Sequence, residues 1–82
     1  MKPMDYNDGY SELANAIIIQ DVRDYERALT HWKNGDRTYK VESDIFMIEK
    51  FFRSDKFVLY SRDCIDGEEL IRLKRKEILN EQ

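Results

Sequence analysis

His31 and Cys64 are the only imidazole and the only thiol in the chain. A nucleophilic dyad would need them to meet in space, with a third group orienting the base. No local motif links them, so the sequence predicts a helix-surface histidine and a half-buried cysteine. One histidine and one cysteine also fall short of the four ligands of a structural zinc site. Asp63, Asp66 and Glu68 cluster around Gly67 but lack the twelve-residue spacing of a calcium loop. Asp21 and Asp24 share a helical face. Two carboxylates perform acid–base chemistry only in a cleft that shifts their pKa values, and Arg23 and Arg27 beside them point to a solvated charged face. The three glycines are isolated and match neither a P-loop nor a dinucleotide fingerprint. No catalytic residue, metal site or cofactor is predicted.

Two residue sets point to binding instead. Arg72, Lys74, Arg75 and Lys76 form the nearest approach to a nucleic-acid signal. Glu68, Glu69, Glu77 and Glu81 temper it, and bases late in a helix also suit its macrodipole. The second set is aromatic: one Trp, five Tyr and four Phe, more than a small core absorbs together with Ile17, Ile18 and Ile19. Tyrosine and tryptophan dominate interface hot spots. Tyr39, Phe46, Phe52 and Tyr60 are the predicted partner-binding residues.

The elements that position these residues read as helices. Residues 1–10 form a polar lead-in, and Ser11 is a candidate N-cap. From there to Trp32, Ile18, Val22, Tyr25, Leu29 and Trp32 recur at steps of four and three, a heptad-like seam widened by Ala14, Ile17 and Ala28. Asn34-Gly35 is a stop signal. A second helix starts at Tyr39 or Ser43, capped by Thr38 or Ser43, and runs to Arg53 with Val41, Ile45, Ile48 and Phe52 on its apolar face. A short strand over 38–41 is the alternative there, because Thr, Tyr and Val favour extended chain. Ser54-Asp55 opens a short helix, Lys56 to Arg62. Asp66-Gly67-Glu68-Glu69 has capping-box spacing, with Glu69 placed to reach back, and opens a last helix ending near Leu79. The expected fold is all-α: one domain over 1–82, a small bundle of three main helices plus one short helix.

The totals agree with a small interaction module. Eighty-two residues bury only about 60–65% of the unfolded chain's surface, so stability is marginal. The charged fraction is 38% with a net charge of −3, too balanced for strong non-specific attraction to nucleic acid. The single cysteine suits a reducing compartment, no apolar run approaches the ~18 residues of a membrane span, and the first residues lack the apolar core of a secretory signal. A cytoplasmic location is expected. Ile17, Ile18 and Ile19 cover most of a helix circumference, which predicts self-association, with a homodimer as the expected form.

Two stretches carry a resemblance. Residues Ser11 to Gln20, followed by Asp24-Tyr25 and Ala28-Leu29, form one; Ile48 to Asp55, with Phe57 and then Asp66 to Ile71, form the other. Together they resemble short uncharacterised proteins of phages and integrative elements of Gram-positive bacteria. The resemblance covers about half of the chain and implies a small, non-enzymatic accessory protein, in a class that includes inhibitors of host defence nucleases such as anti-CRISPR proteins; the protein partner is expected from the aromatic surplus. The alternative is a small nucleic-acid-binding accessory or regulatory protein that uses Arg72, Lys74, Arg75 and Lys76.

Overall fold

A computed structural model describes the backbone of residues 3–80 and the side chains of residues 13–80. Its described residues form four helices and no strand: α1 (Pro3–Lys33), α2 (Tyr39–Phe52), α3 (Asp55–Ser61) and α4 (Gly67–Leu79). The class is all-α.

The first helix begins earlier than its sequence pattern suggests. Ser11 lies inside α1, and the polar lead-in from Pro3 to Tyr10 is helical. Proline suits a first helical turn, where its missing N–H would have no partner anyway. At the other end Gly35 takes φ +104°, a left-handed geometry that L side chains resist. Asp36 N–H donates to the His31 carbonyl at 2.9 Å, and Arg37 donates through Nε to the Trp32 carbonyl at 2.9 Å. The Arg37 guanidinium also lies 3.5 Å from the centre of the Trp32 ring, a cation–π contact that fastens the turn to α1.

Residues 39–41 are helical, which overturns the strand alternative. Thr38 is extended (φ −70°, ψ 160°), and its hydroxyl accepts from Val41 N–H at 3.4 Å. The cap turns the chain into helix one residue later and overrides local β preference. Ser54 caps α3 in the same way, accepting from Phe57 N–H at 3.2 Å. Helix α3 ends at Ser61, because Arg62 adopts the left-handed conformation (φ 57°) of a C-cap. Asp66 caps α4 by accepting from Glu68 and Glu69 N–H at 3.0 and 3.3 Å. The expected return bond from Glu69 gives way to an ion pair with Arg72 one turn on.

Helix α1 is the spine. α2 runs back along it, α3 continues towards its first half, and α4 returns beside its second half, as the contacts of Tyr25 with Phe52 and of Glu26 with Lys74 require. Ile18, Tyr25 and Leu29 meet Val41, Ile45, Phe52, Phe57 and Ile71 in one buried cluster. Rings organise its middle: Tyr25 and Phe57 both pack against Phe52, with centroids 5.4 and 5.3 Å apart in edge-on geometry. Ile18 is buried, Ile17 is half-buried and Ile19 is 50% exposed, so the isoleucine triplet is divided between core and surface.

Gly67 lets α4 approach α2. A Cβ built on it would lie 1.9 Å from the Phe52 carbonyl oxygen, a backbone atom that cannot rotate away. Gly67→Ala must displace α4 and is expected to cost at least about 2 kcal/mol. Gly35→Ala meets no neighbour within 4 Å and pays only for its φ, about 1 kcal/mol. Urea denaturation of both variants checks the ranking.

Candidate functional site

The buried stripe of α2 reads Val41, Ile45, Glu49, Phe52. Glu49 therefore stands where an apolar side chain would, and is 8% exposed. An ionised carboxylate there needs partners. Tyr25 donates its hydroxyl to Glu49 Oε2 at 2.5 Å, and Arg75 donates through Nε to the same oxygen at 2.8 Å. Arg53 lies 3.8 Å from the other oxygen. Burial, and then the bond to Glu49, raise the pKa of the Tyr25 phenol and hold its proton in place. Among the described residues every buried side-chain N or O atom has a hydrogen-bond partner. The set joins α1, α2 and α4 in one register.

A small cleft of about 280 Å³ opens over this network. Leu29, Trp32, Ile45 and Leu79 supply apolar lining, Glu49 and Arg75 supply charge, and Phe46 and Glu42 complete it. Phe46 is 64% exposed.

The residues with reactive side chains do not converge. His31 is exposed and lines a groove between the end of α1 and α2, shared with Asp24, Asp36 and Asp44. Cys64 lines a separate depression beside Asn15 and Tyr60. Sixteen residues of α1 separate Asn15 from His31, about 24 Å at helical rise. Cys64 is exposed rather than half-buried, because Arg62 and Asp63 both take positive φ and turn the chain outward ahead of it. No group of three or more His, Cys, Asp or Glu among the described residues is arranged to hold a metal ion. The Asp21–Asp24 pair does perturb itself: partial burial, and then the Asp24 charge, raise the Asp21 pKa. Asp24 is held by Gln20 at 2.9 Å and Arg27 at 3.4 Å.

The basic set of α4 is largely engaged within the molecule. Arg72 pairs with Glu69, Lys74 bonds Glu26 at 2.6 Å and Glu77 at 3.3 Å, and Arg75 reaches Glu49. Lys76 is exposed. The aromatic set divides. Tyr39 is 87% exposed and Phe46 is also exposed, whereas Phe52 is 2% exposed and belongs to the core. Phe52 is a correction: it lies on the Val41–Ile45–Glu49 stripe, which faces α1. Tyr60 is half-buried, its ring 6.2 Å from that of Phe51.

Sequence reasoning missed Glu49 and the exposure of Val58 and Leu59. The Glu49 signal was present: four residues after Ile45 and three before Phe52, it interrupts an apolar stripe. No protein-family model matches the chain, and no curated protein or solved structure matches it. No described helix is long and apolar enough to cross a membrane.

Arg75→Met strands the Glu49 charge and is expected to cost about 3 kcal/mol. Adding Glu49→Leu and Tyr25→Phe removes the stranded groups and should return stability to within about 1 kcal/mol of the original chain; urea midpoints measure both. For Asp21 the raised folded-state pKa stabilises the fold below the unfolded value of 3.8, and that contribution is lost as pH rises through the folded pKa. Asp21→Asn should therefore raise the melting temperature at pH 7 and leave it unchanged near pH 3, about one unit below the unfolded carboxylate.

Proposed function

We propose that this chain is a non-enzymatic protein-interaction module of a phage or mobile element, working in the cytoplasm by covering the surface of a host defence nuclease such as a CRISPR effector. The architecture that suits this reading is a bundle of α1, α2 and α4 with α3 as a short fourth element. The observation that carries the reading is large apolar side chains left in water at two places. Tyr39, Phe46 and Met47 project from α2, and Val58 and Leu59 project from α3, with exposures from 46% to 87%. Exposed groups of this size cost solvation unless a partner covers them, and aromatic anchors are what interfaces use.

The origin in a mobile element rests on the sequence resemblance alone. Nucleic-acid binding by α4 has less support. Three of its four candidate cations already face carboxylates, so neutralising phosphate would mean breaking intramolecular pairs.

A tagged chain should retain a protein from host lysate at low salt and should inhibit the retained nuclease in a cleavage assay. Tyr39→Ser with Phe46→Ser, or Val58→Ser with Leu59→Ser, should abolish retention for at least one pair without changing the melting temperature. Retention of nothing, or retention indifferent to both pairs, contradicts the proposal. Low-salt gel shifts with DNA and RNA are expected to show no retardation.

A further inference from the structure

The exposed flank of α2 carries a pattern that its packing uses only in part: Arg53 pairs with Glu68, and Phe46 edges the cleft beside Trp32. Tyr39, Ser43, Phe46, Lys50 and the C-cap Arg53 recur at steps of four and three beside the buried stripe, and Glu42 flanks them. Glu42 and Lys50 are both exposed, and among the described residues neither makes an ion pair. They are eight residues apart, too far along one helix to meet each other: the separation is about 12 Å.

We propose that this face binds a second copy of the same chain, α2 against α2 in antiparallel orientation, with a two-fold axis passing beside Phe46. The sequence is self-complementary about that residue. Glu42 stands four residues before Phe46 and Lys50 four after, so each Glu42 meets Lys50 of the second copy, twice over. Tyr39 stands seven before and Arg53 seven after, which lays each exposed phenol ring near a guanidinium already steadied by Glu68 at 2.7 Å. The two Phe46 rings abut at the axis. A parallel pairing would instead oppose Glu42 to Glu42 and Lys50 to Lys50, so charge selects the antiparallel form. Such an interface is isologous, as a two-fold dimer requires.

One face of a 14-residue helix is smaller than the ~800 Å² per partner of a standard interface. The association is therefore weak and depends on concentration. The inference goes beyond the function proposed above and does not need a heterologous partner; it leaves the Val58–Leu59 face of α3 open in each copy.

The test uses the purified full chain. Sedimentation equilibrium up to millimolar concentration should show a reversible dimer. Glu42→Lys and Lys50→Glu should each weaken it by about tenfold, and the two together should restore it. Circular dichroism establishes that each variant remains helical. A second arm does not depend on the charge swap: in a Cys64→Ser background, Phe46→Cys should oxidise to a disulfide dimer much faster than Leu59→Cys, because a residue at a two-fold axis meets its own copy. A monomer at every concentration, single and double charge variants that dimerise alike, or equal oxidation rates at the two positions would each overturn the proposal. Loss of lysate capture alone leaves these results untouched, so the two ideas fail separately.

Discussion

One carboxylate sets the constraints for the rest of the fold. Glu49 occupies a core position on α2, and a buried charge is tolerable only if its oxygens are held. Tyr25 from α1 and Arg75 from α4 hold it. The geometry leaves little freedom: the phenol and the guanidinium reach one oxygen, so the two helices that carry them are registered against α2 and against each other. Around this point the apolar groups are generic in type. Rings of Phe52 and Phe57 fill the space below, and aliphatic side chains fill the space above. Apolar packing supplies most of the stabilisation in a core of this kind. The polar contact supplies direction, because a slipped register would leave an acid or a phenol buried without a partner.

That division of labour explains where the surface residues fall. With α2 turned so that Val41, Ile45, Glu49 and Phe52 face inward, its opposite side is committed to water, carrying Tyr39, Phe46 and Met47 with it. The same logic applies to α3. It is seven residues long and buries Phe57 and Ser61, so Val58 and Leu59 have nowhere to pack. The exposed apolar groups are thus consequences of short helices with one inward stripe each.

Much of this was legible from residue types. Helical class, the cap at Asp66, the stop at Asn34-Gly35 and most of the α1 seam follow from periodicity and local hydrogen bonding; spacing left Thr38 and Ser43 as rival caps of α2 and put the start of α3 one residue late. Three things were misread. The start of α1 was masked by polar residues that read as coil yet suit a first turn. Phe52 was counted with the surplus aromatics, although its spacing from Val41, Ile45 and Ile48 already put it on the apolar face of α2, which is the face that packs on the spine. Arg75 looked like part of a basic face, because the carboxylate that claims it lies 26 residues earlier and in another helix. Pairings at that separation are tertiary facts. Only the interruption of an apolar stripe by Glu49 hinted at them.

The central claim is that a single buried acid, clasped by a phenol and a guanidinium, aligns three helices. Proton NMR of the intact chain tests it most directly. A slowly exchanging Tyr25 hydroxyl resonance, with nuclear Overhauser contacts to the Arg75 side chain, is the expected result. A Tyr25 hydroxyl that exchanges with water as fast as that of exposed Tyr39 would contradict the account.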